Sequence, residues 1–223
     1  MLLLSLCVVA AVLAVTHGPV LGARLPEPDE GQILGKLPYS ELRAPLRVAT
    51  LLAATLGAQV ATLAVSAELR PVWLVYGASV AALVWVDAYT TWLPAKLNWL
   101  VTAELVVAAS VGMCLADNPA TLGLHLVGGA VASLGFWWLF WRLGRGALGF
   151  GDVRLGPLAG AVAASLGING WLIGLFSSTI VGVLWGLTVG RRYPAPGTER
   201  GFAYGPAIWI GPYIALVWTT LVH

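Results

Sequence analysis

The chain has 223 residues, of which 59% are apolar and only 10% charged, against roughly 25% charged in an ordinary soluble domain. Twelve Lys/Arg against ten Asp/Glu leave a net charge of +2, too small an excess to point to nucleic acid or an acidic partner. A mean hydropathy of +0.85 excludes a water-soluble globule, which would lack polar side chains to cover its surface, and a disordered chain, which needs low hydrophobicity.

Apolar stretches of about 20 residues follow one another, broken by charges, Pro and Gly, as in a polytopic helical membrane protein. About eight spans are predicted, near Leu2–Leu21, Val48–Ser66, Val72–Val86, Trp99–Leu115, Leu122–Phe140, Leu155–Gly167, Trp171–Gly190 and Gly205–Val222. The third and sixth are short. The runs are apolar all round, whereas barrel strands would alternate. The first has no basic residue before it, since Met1 leads straight into Leu2, and it reads as a retained helix in place of a signal peptide. Cys7 and Cys114 are the only cysteines and lie in apolar runs. They read as buried free thiols, and no Cys/His spacing suggests a zinc site.

Orientation follows from Lys and Arg. With the N-terminus outside, eight spans put Arg24, Lys36, Arg43, Arg47, Lys96, Arg142, Arg145, Arg154, Arg191, Arg192 and Arg200 inside, eleven of the twelve basic residues, with only Arg70 outside. Both termini are then outside. The longest loop, about 22–47, is polar and cytoplasmic and too short for a domain, so residues 1–223 read as one integral-membrane unit. Small residues at four-residue spacing, Gly156/Gly160/Ala164 and Gly182/Gly186/Gly190, read as helix-packing features.

Seven of the ten acids fall in loops: Glu27, Asp29, Glu30, Glu41 and Glu199 inside, Glu68 and Asp117 outside. Asp87, Glu104 and Asp152 do not, and an acid in a span is a functional candidate by default. Asp87 ends the third span and precedes Leu93-Pro94. Asp152 follows a glycine-dense run, Gly144 to Gly151, and opens the sixth span, where a helix N-terminus favours a negative charge. The two are 65 residues apart, yet the topology places both at the same membrane face. Two carboxylates close together in a poorly hydrated site share one proton. The ionised member can activate a water and the protonated one can hydrogen-bond a peptide carbonyl, as in aspartic proteases. This needs no metal, cofactor or nucleophilic Ser or Cys.

Gly149-Phe150-Gly151-Asp152 is a GxGD motif continuing as Val153-Arg154-Leu155, and Asp87 precedes Leu93-Pro94 at a matching spacing. Gly18 to Arg24-Leu25-Pro26 and Phe202-Ala203-Tyr204-Gly205-Pro206, followed by Ile210-Gly211, extend the pattern over most of the chain. The sequence resembles the type IV prepilin peptidases, a family of GxGD membrane aspartic proteases. The resemblance implies an endopeptidase of the bacterial inner membrane with Asp87 and Asp152 as its catalytic pair. It would cut the basic leader from prepilin or pseudopilin-like substrates at the cytoplasmic face. Gly149, Gly151 and Pro94 would shape the loops so that substrate backbone can approach, and Arg154 would hold the Asp152 segment by a charge-assisted contact. Members that also methylate the new N-terminus carry Cys-x-x-Cys pairs in a larger first cytoplasmic insert. The 22–47 loop has no Cys, so methylation is not implied.

Glu104 reads either as a polar partner between helices or as a residue lining a substrate path. His125 reads as a packing residue, and His17 and His223 as lying near the outer face. Trp73, Trp99, Trp171 and Trp209 near span ends read as interface anchors. Three rival readings remain: a transporter or channel using the intramembrane acids, a presenilin-type protease, whose Tyr-Asp element Val86-Asp87 does not match, and a non-catalytic scaffold.

Overall fold

The computed structural model of the chain describes residues 1–26, 37–144, 148–189 and 203–222. Glu27, Asp29, Glu30, Lys36, Arg145, Gly190, Arg191, Arg192, Glu199, Arg200, Phe202 and His223 lie outside them. The described residues are all helical or connecting turns, with no strand among them. We label the helices α1 (Leu2–Arg24), α2 (Pro45–Ala64), α3 (Arg70–Thr90), α4 (Ala95–Leu115), α5 (Pro119–Leu143), α6 (Phe150–Ala164), α7 (Gly167–Val189) and α8 (Gly205–Val222). All except α6 are long and apolar enough to cross a membrane, which makes seven candidate spans. At 15 residues, α6 is about 22 Å long, short of a hydrocarbon core of about 30 Å.

The starts follow local chemistry. Pro45 and Pro119 stand at first-turn positions, where a missing N–H is harmless. Asn118 caps α5 by accepting from Thr121 N at 3.1 Å. Helices α1 and α3 each contain a π-helical turn, Thr16–Leu21 and Tyr76–Val80. Pro19 explains the first, because it has no N–H for the α-helical ladder. Between α2 and α3, Ser66 donates to Glu68 Oε1 at 2.7 Å, and that bond holds the Glu68 carboxyl below its ordinary range.

Two helices occupy the middle of the bundle. The apolar window of α3 is 78% buried, against 28–39% for the other six candidate spans. Eleven of the fifteen residues of α6 are buried. Small residues explain how α6 gets there. The missing side chains of Gly156 and Gly160 leave the space that Trp137 and Ser133 of α5 occupy, and Gly129 of α5 does the same for Ala164. On α7 the close-packing row is Gly174, Ser178 and Gly182, against Gly211 and Tyr204. The GxxxG-like spacing of α6 thus brings backbones together as anticipated, while on α7 the row runs toward the N-terminal side of Gly182.

Several side chains differ from expectation. Trp73 is no interface anchor: it is fully buried and donates to Ser165 Oγ at 3.2 Å. Trp99 is 66% exposed, as an anchor should be. Cys7 and Cys114 are free, but Cys7 is half-buried and Cys114 exposed, because each lies on an outward helix face.

Candidate active site

Asp87 sits within α3, not at its end. The helix continues to Thr90 and stops at Thr91, whose backbone is left-handed (φ 52°, ψ 28°). Such a conformation is uncommon for a β-branched residue. It is held by Thr91 N donating to Asp87 O at 2.7 Å and by Thr90 Oγ1, which donates to Val86 O at 2.7 Å and accepts from Trp92 N at 3.2 Å. The chain then turns through Leu93 and Pro94, both buried, and Pro94 opens α4 as its N-cap.

Asp152 lies in the first turn of α6. Gly149 is the N-cap: its carbonyl accepts from Asp152 N at 3.1 Å and its N–H donates to Asp152 Oδ2 at 3.2 Å. This is a capping box whose N-cap residue uses backbone alone. The helix begins five residues before the span read from hydropathy, because a polar first turn is invisible to an apolar window but not to cap chemistry.

The fold brings the two acids together. Asp152 lies within the electrostatic reach of Asp87, and the two are 5% and 7% exposed. The connection is physical on both sides. Gly151 packs directly on Leu93, where an added Cβ would stand 2.8 Å from Leu93 Cβ. The turn between α3 and α4 and the first turn of α6 therefore touch. On the other side, Gly205, the first residue of α8, donates its N–H to Asp87 Oδ2 at 3.1 Å. Each carboxylate therefore takes an amide from a helix N-terminus, Asp152 from its own helix and Asp87 from α8. First-turn amides have no intrahelical partner, and the helix dipole favours negative charge there.

The other sequence candidates fall around this pair in different ways. The guanidinium of Arg154 lies over the Phe150 ring at 4.9 Å, a contact along its own helix. Gly149 is exposed and Gly151 half-buried. Glu104 is bound elsewhere: its Oε1 is 2.8 Å from His17 Nε2. His17 is 3% exposed, and its Nδ1 lies 2.6 Å from Leu13 O. A carbonyl only accepts, so Nδ1 carries a proton and Nε2 faces the carboxyl. The outer-face reading of His17 gives way to a buried pair joining α1 to α4. Breaking it leaves one polar group without its partner, so Glu104→Ala lowers stability by about 1–3 kcal/mol, and Glu104→Gln by less. Thermal unfolding in detergent measures both, and an unchanged Tm for Glu104→Ala refutes the role.

Sequence reasoning did not find the part played by Gly205, the Leu93–Gly151 contact or the His17–Glu104 pair. The first had a signal: a glycine heading an apolar helix, followed by Pro206, offers an exposed amide to any carboxylate nearby. Among the described residues no three His, Cys, Asp or Glu side chains cluster as a metal site would require. Comparison of the chain with protein-family models, curated proteins and solved structures finds no match in any of the three.

Proposed function

We propose that this protein is a membrane-embedded aspartic endopeptidase acting on prepilin-like substrates, with Asp87 and Asp152 as the catalytic pair. The observation that carries the reading is the convergence of two acids, 65 residues apart in sequence, on the two innermost helices, each buried and each holding a helix-N-terminal amide. Neither structural packing nor solubility calls for two carboxyls there, and the repulsion that makes them share one proton is a cost that a site with a use for that proton would bear.

The chemistry follows from one proton shared by two carboxyls. The ionised carboxylate takes a proton from a water whose oxygen attacks the scissile carbonyl carbon. The protonated carboxyl gives its proton to the carbonyl oxygen. Collapse of the tetrahedral species breaks the C–N bond: the amine leaves with the proton first taken from water, and a hydroxyl of the tetrahedral species returns a proton to the second carboxylate as the C=O re-forms, which restores the shared proton. The amides of Gly205 and Gly149 hold the two carboxylates through these exchanges.

The Lys/Arg distribution of the sequence groups Arg24, Arg43, Arg47, Lys96, Arg142 and Arg154 on the side of the pair. Arg47, which pairs with Glu41, also stacks over Tyr89 at 5.7 Å, two residues after Asp87. Positive charge marks the cytoplasmic side, so this reading puts the pair at the cytoplasmic face of a bacterial inner membrane, where a basic leader emerges. The carrier or channel reading has one observation in its favour, the intramembrane His17–Glu104 pair. That pair joins two helices, as packing alone requires.

The test is co-expression of the full chain with a prepilin-like protein carrying a short basic leader, a glycine and an apolar helix. The expected result is a mobility shift, with a new N-terminus just after the glycine. An uncut substrate across a panel of such proteins, with the chain present in the membrane, overturns the reading.

A further inference from the structure

The amide that holds Asp87 is placed only as well as the start of α8, and the residue before it governs that start. Tyr204 is the N-cap of α8: its carbonyl accepts from Ala207 N at 3.0 Å and Ile208 N at 3.3 Å. Its side chain is 9% exposed and gripped on two sides. On one, the phenol end of the ring fills the notch left by the missing side chain of Gly182 on α7, where an added Cβ would collide with Tyr204 Cζ and the hydroxyl oxygen. Its hydroxyl donates to Thr179 O at 3.2 Å, one turn away on the same helix. On the other, the ring meets Trp137 of α5 edge-on, with centroids 5.5 Å apart and planes at 67°. Trp137 itself sits in the space left by Gly156, one turn beyond Asp152 on α6. Tyr204 is also close enough to Asp152 to feel its charge. Further along, Ser178 Oγ reaches Ile208 O at 3.2 Å, so α7 and α8 stay in register past the cap.

We infer that Tyr204 and Gly182 are positioning residues: the tyrosine ring seated in the glycine notch sets the Gly205 amide against Asp87 and, through Trp137, keeps it in register with Asp152. This rests on the endopeptidase reading and adds to it two residues that touch neither substrate nor the reacting atoms. The physical reason is short range. The Gly205–Asp87 bond is 3.1 Å, and a slip of α8 by about 1 Å takes it beyond hydrogen-bond distance. A misplacement of that size costs on the order of 100-fold in rate.

The experiment uses the purified full chain in proteoliposomes with a prepilin-like substrate, and reads kcat and KM separately. A hydroxyl-bearing peptide isostere of the scissile bond titrates the competent sites, so misfolded protein is divided out. Tyr204→Leu and Gly182→Ala are each expected to lower kcat per titrated site by about 100-fold with little change in KM. Tyr204→Phe, which keeps the ring, retains most of the rate. The double variant Gly182→Ala/Tyr204→Leu is expected to match Tyr204→Leu alone, because the notch matters only when the ring is there to fill it. Losses that multiply in the double variant, a drop confined to the number of titratable sites, or full kcat in Tyr204→Leu overturns the inference while cleavage by the unaltered chain stands. Absence of cleavage by the unaltered chain overturns the endopeptidase reading, and this inference with it.

Discussion

On the endopeptidase reading, Asp87→Asn and Asp152→Asn are each expected to lower cleavage of a prepilin-like substrate by about 10,000-fold, the scale on which loss of an essential acid or base is felt. Asparagine keeps the size of the side chain and an oxygen that can still accept the Gly205 or Gly149 amide, so the fold is preserved. It removes the carboxyl's ability to exchange a proton. The pair acts as one unit, so the double variant is no slower than the worse single one. Stability moves the other way. Each substitution removes one of two carboxyls held out of water at 5% and 7% exposure and with it their mutual repulsion on ionising, and thermal unfolding in detergent is expected at the same or a higher temperature. Single-turnover cleavage on purified protein, with Tm measured on the same samples, checks both halves. A rate near that of the unaltered chain for either variant removes that residue from the pair. A lost rate with a collapsed Tm assigns the acid to folding instead.

Much of this arrangement is legible in the sequence, for reasons that also explain what is not. The seven long helices follow from composition, because a hydrocarbon core demands runs of that length. The pair of acids follows from cost, since a carboxyl in an apolar run demands explanation. Hydropathy alone starts α6 at Leu155 because it registers apolar length and ignores caps, whereas the glycine-dense run ending at Asp152 already places that acid at a helix N-terminus, where it stands. Lipid-facing and protein-facing sides were harder to separate. Helices apolar all round have no polar face to orient them, so Trp73, near a span end in sequence, reads as an anchor although α3 is buried on every side. Cys114 reads as buried although its face of α4 looks outward. Contacts such as His17 with Glu104, 87 residues apart, depend on how α1 and α4 pack around α3, and no local pattern encodes that.

The glycines of the site separate a steric role from a motif letter. At Gly205 an added Cβ would stand 2.6 Å from Asp87 Oδ2 and 3.3 Å from Cγ, so alanine there must push the carboxylate off its amide. At Gly151 the obstacle is Leu93 Cβ at 2.8 Å, which displaces the loop between α3 and α4 and moves Asp87 indirectly. At Gly149 the nearest atom is Asp152 Oδ2 at 3.4 Å, an ordinary contact, and the backbone angle φ of −71° suits any residue. Gly205→Ala is therefore expected to lower kcat by about 100-fold or more, Gly151→Ala by less, and Gly149→Ala least of all, although Gly149 and Gly151 stand in the same four-residue motif. Cleavage rates for the three alanine variants, normalised to titrated sites, give the order directly. If Gly149→Ala proves the most damaging, the glycines serve passage of the substrate backbone, as the resemblance implies, and not the packing of Leu93 and Asp87.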